Sequence, residues 1–195
     1  MGGLQFPPGI DADDMIGQGK SGIAALDSKT KLVIKFPYDT DAGRAECAHE
    51  KEIYERLERS PLPRPSSLLK YYGSTEHGIL LEYAKNAHGD VDCVSFYVDE
   101  LLDLKVGDFT RSTDATPQAM KKDISDFGSA IYYLVTSQYP YPGMTDKQIE
   151  ERFQRKECPD LTDVQLKSII YPCWAGHYGS FEEVLVDVKE HIRLL

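Results

Sequence analysis

Hydrophobic and polar positions change their period along this chain, and the change divides it. From 14 to 38, "DMIGQGKSGIAALDSKTKLVIKFPY", glycines punctuate short β-branched runs and Asp27-Ser28-Lys29 offers a turn. This predicts a hairpin leading into a strand at "KLVIKF". Residues 41–59, "DAGRAECAHEKEIYERLER", are good helix formers with Ile53 and Leu57 at i, i+4, and predict a helix. "SPLPRPSS" (60–67) breaks it, "LLKYYGSTEHGILLEYA" (68–84) predicts two strands around a polar turn, and "VSFYVDELLDLKVGDF" (94–109) predicts a second hairpin turning at Asp99-Glu100.

Beyond that point the period becomes helical. Ile124, Phe127, Ile131 and Leu134 fall at i, i+3, i+7 and i+10, one face of a helix. "YPYPG" stops it, and a second helix is predicted over 145–156 with Thr145 as N-cap. Two more are predicted at 162–171 and 180–193. Strands with one helix first, and helices afterwards, predict an α+β chain of two lobes with a crevice between them.

Composition narrows the class. The chain has 195 residues, 41% hydrophobic and 28% charged, as expected of a globular fold rather than a disordered one. A net charge of −10 speaks against nucleic acid as a partner, because phosphate-backbone binding needs clustered Lys and Arg. No run approaches the roughly 18 apolar residues that a membrane span needs. The N-terminus does not read as a signal peptide, and Phe6 stands where a myristoylation motif needs Ser or Thr. Cys47, Cys93, Cys158 and Cys173 are scattered without a C-x-x-C pair, which fits a reducing, cytoplasmic setting.

Candidate chemistry begins at "IGQGKSG" (16–22), with the spacing G-x-G-x-x-G. Glycines there let backbone N–H groups approach a phosphate; a glycine-rich hairpin turn has the same letters. A dinucleotide site would need a helix straight after the third glycine, whereas strand, turn and strand follow. Lys35 stands inside the apolar run "LVIKF", where an amine either meets an anionic partner such as Glu50 or snorkels from a sheet edge.

Together these stretches resemble the protein-kinase family over nearly the whole chain, in wording similar to small fungal kinase-like proteins. The resemblance implies a β-rich lobe at 14–84 after an N-terminal extension at 1–13, and a shortened, mainly helical lobe at 85–195. "IGQGKSG" resembles the glycine-rich loop, so Ile16, Gly17, Gln18, Gly19, Lys20, Ser21 and Gly22 would cover ATP. "LVIK" resembles V-A-I-K, placing Val33 beside the nucleotide and Lys35 on its phosphates. Glu50 in "HEKEIYERL" would orient Lys35, with Glu52 the rival. "LLEYA" resembles the hinge, whose backbone at Glu82–Ala84 would bond the adenine edge. "HGDVDCVS" resembles H-R-D-x-x-x-x-N, which makes Asp90 the proton acceptor and puts Ser95 where asparagine would help hold Mg2+.

Two stretches compete for the magnesium-binding D-F-G. Asp126-Phe127-Gly128 carries the letters but lies in a predicted helix, where Asp123 resembles the aspartate that braces the catalytic loop. Asp108-Phe109 follows a hairpin and precedes a polar loop, the setting of the family's metal ligand, with Thr110 in place of the glycine. The resemblance therefore assigns magnesium to Asp108.

Three departures bear on activity. Only Lys85, Asn86 and Ala87 separate the hinge from His88, where the family has two helices. Ser95, Asp92 and Thr110 replace residues that steady metal and phosphate. "TPQ" (116–118) is a short echo of A-P-E, leaving little platform for a peptide. The expectation is a minimal, slow kinase acting on a protein Ser/Thr hydroxyl. The alternative is a pseudokinase that engages a regulatory protein partner without turnover.

Overall fold

The computed structural model describes residues 5–19, 21–84, 96–110, 112–114 and 116–193. The chain divides into two compact units, Met1–Ser112 and Thr113–Leu195. The class is α+β: antiparallel strands in the first unit, helices in the second, with one helix among the strands.

In the first unit a short 3-10 turn, Ala12–Asp14, leads into β1 (Met15–Gln18), β2 (Gly22–Leu26) and β3 (Val33–Pro37). Helix α1 (Asp41–Glu58) follows, then β4 (Tyr71–Ser74) and β5 (Ile79–Leu81). The five strands form one sheet in the order β1-β2-β3-β5-β4. Central β3 is paired on both sides, Lys35 lying opposite Ala24 on β2 and Ile79 on β5. Gly22 and Gly78 allow these crossings, since a Cβ at either would stand 2.2 Å from a β3 carbonyl oxygen. The predicted turn at Asp27 forms because its carboxylate accepts the Lys29 N–H and the Thr30 hydroxyl.

Strands β6 (Phe96–Val98) and β7 (Leu104–Val106) make a separate hairpin. Asp99 closes its turn by accepting the N–H groups of Leu101 and Asp103, each at 2.9 Å. The hairpin belongs to the first unit, whereas the sequence assigned everything from 85 onward to the second lobe. Its anchors are backbone and charge: the Leu69 N–H donates to the Val106 carbonyl, and Lys105 Nζ donates to the Ser66 carbonyl.

The predicted helix at 41–59 forms, capped by Thr40, but its buried face is not the Ile53/Leu57 pair. Gly43, Cys47, Glu50 and Tyr54 face inward, while Leu57 is exposed. Tyr54 joins Val33, Leu69, Ile79, Leu81 and Ala84 in a core between sheet and helix. Ile23, Ala25, Ile34 and Phe36 form a second cluster on the same sheet.

The second unit holds α2 (Pro117–Thr136), α3 (Asp146–Gln154), α4 (Lys167–Ala175) and α5 (Phe181–Arg193). Thr145 caps α3 in a capping box with Gln148, as its spacing predicts. The helix predicted at 162–171 is displaced to 167–175, because Leu166 takes a left-handed conformation and Gly176 supplies the stop. Ile124, Ile169, Cys173, Tyr178 and Val184 make one core cluster, and Tyr132, Ile170 and Trp174 another. Leu134, predicted to share the α2 core face, is exposed.

The literal D-F-G at 126–128 is resolved here. All three residues lie within α2; Asp126 pairs on the surface with Lys122, one turn away. Gly128 is glycine for packing, since a Cβ there would come within 2.6 Å of the Cys173 Cβ on α4. No helix among the described residues is long and apolar enough to cross a membrane.

Candidate functional site

Three charged side chains, from three elements of the first unit, meet at Lys35 Nζ. Glu50 Oε2 from α1 and Asp108 Oδ1 from the segment after β7 each lie 2.7 Å away. Glu50 is fully buried; the side chains of Lys35 and Asp108 are 15% and 23% exposed. Glu52, the rival partner, stands two residues on and faces solvent. The helix selects between them by rotation: Glu50 shares the inward stripe of Cys47 and Tyr54.

Burial works against the Lys35 ammonium, but Glu50 and Asp108 outweigh it and hold its pKa above the ordinary lysine value. Burial pushes the Glu50 carboxyl up, opposed by Lys35 and by the nearby Phe109 backbone amide. The lysine therefore stays charged. Among the described residues the ammonium donates a hydrogen bond to Asp108 Oδ1, while Glu50 Oε2 stands at ion-pair distance without accepting a well-directed bond.

Asp108 sits in the left-handed region at φ 58°, uncommon for a residue with a side chain though less so for Asp. Its Oδ1 accepts from Lys35 and from the Thr110 hydroxyl at 2.9 Å. Among the described residues no donor reaches Oδ2, which leaves one hard oxygen for a cation. No group of three or more Asp, Glu, His or Cys side chains among the described residues could hold a metal alone. A metal at Asp108 would need oxygens from a bound ligand, as magnesium takes from nucleotide phosphates.

Aromatic packing fixes the segment. The Phe109 ring stands edge-on to Tyr54 with centroids 5.1 Å apart, and Tyr54 stacks on Tyr71 at 5.3 Å. Tyr97, on β6, packs against the core cluster that contains Val33 and Ala84. Burial, with the Asp108 charge adding, pushes its phenol up to about 12. His49, one residue before Glu50, bonds the Ser112 carbonyl at 2.7 Å through Nε2.

The predicted phosphate loop is the β1–β2 hairpin, closed by the Gly19 N–H donating to the Gly22 carbonyl. Ile16, Gly17, Gln18 and Gly19 are exposed, and Cβ atoms at Gly17 and Gly19 would meet nothing within 4 Å. That open space is what a phosphate approaching the backbone requires. Ser21 and Gly22 are buried, Gly22 for the strand pairing described above. At the predicted hinge, the Glu82 N–H donates to the Lys70 carbonyl and its side chain accepts the Lys70 N–H. Glu82 also pairs with Lys105 at 3.4 Å, so its donor is already used and its carboxylate braces the hairpin. Ala84 is buried in the core.

Lys20, Asp90 and Ser95 lie outside the described residues, as does the rest of the predicted catalytic loop. Asp123 is exposed on α2. Tyr97 and His49 were not singled out from the sequence; the alternation of "FYV" on a strand could have pointed to Tyr97. No protein-family model matches the chain.

Proposed function

We propose that this chain is a minimal protein kinase-like protein that binds Mg-ATP and transfers the γ-phosphate slowly to a protein Ser/Thr hydroxyl. The observation that carries the reading is Lys35 held between Glu50 and Asp108, at 2.7 Å from each. Two carboxylates converge on one ammonium, a formal excess of negative charge that suits a cation.

The roles follow from chemistry. Lys35 donates to phosphate oxygens, and Glu50 keeps it extended toward them. Asp108 offers Oδ2 to magnesium, which would neutralise phosphate charge as transfer proceeds. The open backbone of Gly17 and Gly19 covers the phosphates. Val33 and Tyr97 lie in the apolar cluster nearest the predicted hinge, and the backbone beyond Glu82 would meet the adenine edge. In the transfer step the substrate hydroxyl oxygen bonds phosphorus, its proton passes to Asp90, and ADP leaves.

The second reading, a pseudokinase that engages a regulatory protein partner, is favoured by Ser95, Asp92 and the three-residue link from Ala84 to His88. One sample tests both. Calorimetry with ATP, with and without magnesium, is run on wild type and Lys35→Met, followed by a radiolabel transfer assay. A charge-assisted phosphate contact is worth roughly 1.5–3 kcal/mol. Lys35→Met should therefore weaken ATP by about one to two decades. Equal binding by both proteins would refute the nucleotide site; binding without transfer would select the pseudokinase.

A further inference from the structure

We infer that Thr110 is a positioning residue that fixes Asp108 for a divalent cation, an inference that rests on the Mg-ATP reading above. In the family pattern glycine stands at this place and contributes no side chain. Here the Thr110 hydroxyl donates to Asp108 Oδ1 at 2.9 Å, the same oxygen that Lys35 reaches at 2.7 Å. Both donors converge on Oδ1, so the carboxylate is held by one oxygen and presents the other.

The two donors differ in stiffness. Lys35 acts from a flexible four-carbon stem and must also serve an anion. Thr110 is β-branched, with restricted χ1, and stands two residues from Asp108 on the same turn. That turn is itself fastened: the Ser112 N–H donates to the Phe109 carbonyl at 3.0 Å, and His49 holds the Ser112 carbonyl at 2.7 Å. A carbonyl only accepts, so His49 Nε2 carries its proton and donates. Phe109 is pinned against Tyr54 on α1, the helix that also carries Glu50 and His49. Thr110 thus does work that glycine cannot: it gives Oδ1 a second donor, independent of Lys35.

Calorimetry of ATP binding, with magnesium chloride titrated from zero to saturation, tests this on wild type, Thr110→Val and Thr110→Ser. Removing an outer-shell partner of a metal ligand typically costs about 10–100-fold in metal affinity. Thr110→Val should raise the magnesium concentration for half-maximal enhancement by about tenfold or more. Its magnesium-free ATP affinity and its melting temperature should stay at wild type, and Thr110→Ser should restore the wild-type magnesium dependence. Thr110 is not a positioning residue if Thr110→Val keeps the wild-type magnesium curve, or if ATP weakens equally with and without the metal. The hydroxyl is not the agent if Thr110→Ser behaves like Thr110→Val. If wild type itself binds no ATP, the nucleotide reading falls and takes this inference with it, an outcome separate from the others.

Discussion

Replacing Lys35 by methionine probes the charged trio without any ligand. Methionine keeps most of the aliphatic stem and deletes the ammonium, leaving Glu50, fully buried, without its cation. Breaking a buried pair costs roughly 3–5 kcal/mol when the orphan stays charged. Glu50 has an escape, because it can take up a proton. From an ordinary carboxyl value of 4.5, protonation at pH 7 costs about 3 kcal/mol, at about 1.4 kcal/mol per pH unit. That figure is the ceiling on the loss through Glu50 at pH 7. At pH 5 the same escape costs less than about 1 kcal/mol.

The sign follows from linkage. Burial already raises the Glu50 pKa in the folded state, and loss of Lys35 raises it further. The folded variant then holds a proton that the unfolded chain releases above 4.5, so stability falls as pH rises from there through the raised folded value. The single tryptophan, Trp174, reports on the other unit. Hydrogen exchange on peptides spanning β3 and α1 is therefore the assay. Lys35→Met should lose about 2–3 kcal/mol at pH 7 and under about 1 kcal/mol at pH 5. Adding Glu50→Gln should remove most of this pH dependence, since the glutamine has no charge to orphan. Equal losses at both pH values, or no relief from Glu50→Gln, would show that Lys35 matters for something other than the buried carboxylate.

Gly128→Ala should destabilise the second unit, because a Cβ 2.6 Å from the Cys173 Cβ cannot be accommodated without moving α2 from α4. Overpacking of roughly 1–3 kcal/mol exceeds the helix-propensity gain of up to about 1 kcal/mol, and thermal melting followed by Trp174 fluorescence reads the difference. Thr145→Ala should cost about 0.5–1 kcal/mol through loss of the α3 cap; Trp174 reports this too, since Phe153 of α3 packs on it at 5.2 Å. Tyr97→Phe should reduce the alkaline loss of stability by the share that Tyr97 contributes. Burial holds the folded phenol at about 12 against 10 unfolded, so the wild type loses stability between those values as the unfolded chain releases its proton first. A urea titration series from pH 9 to 12 checks it.

Local signals were legible in the sequence where chemistry is local. Asp27, Thr145 and the Pro/Gly break after α2 are read from neighbours a few residues away, and turn, cap and stop all form. The helical setting of Asp126 was also legible, because the apolar period around 124–131 contradicts a loop there. The inward face of α1 was not. Ile53 and Leu57 are the more apolar pair, yet the helix turns Glu50 and Tyr54 inward, because Lys35 on β3 gives the carboxylate a partner. The Lys35–Glu50 pairing was itself legible from an amine inside an apolar strand; what the apolar spacing did not contain is that Tyr54, not Leu57, fills the core. Thr110 read only as a defect in a motif, since its bond to Asp108 depends on a left-handed residue that the sequence does not announce.

A fully buried carboxylate is weak ground for stability. Replacing a buried ion pair by apolar residues of similar volume is often neutral or stabilising. The trio here is less favourable still, with two carboxylates around one ammonium and therefore one uncompensated negative charge. Packing alone would not select it, and the apolar cluster around Tyr54 shows that the same elements can bury hydrophobic side chains. On the proposed Mg-ATP reading, a cation arriving with phosphate oxygens would offset the excess charge; the described residues hold no group of three or more acidic, His or Cys side chains that could hold one alone. Lys35, Glu50, Asp108 and the open glycine hairpin all lie in Met1–Ser112, so the proposed nucleotide site would draw on one unit. Transfer, on the proposed reading, would draw in addition on Asp90 and on a seat for the acceptor hydroxyl. Binding can therefore survive changes that end turnover, and the variants that separate the two are those at Asp90 and Ser95, not those at Lys35.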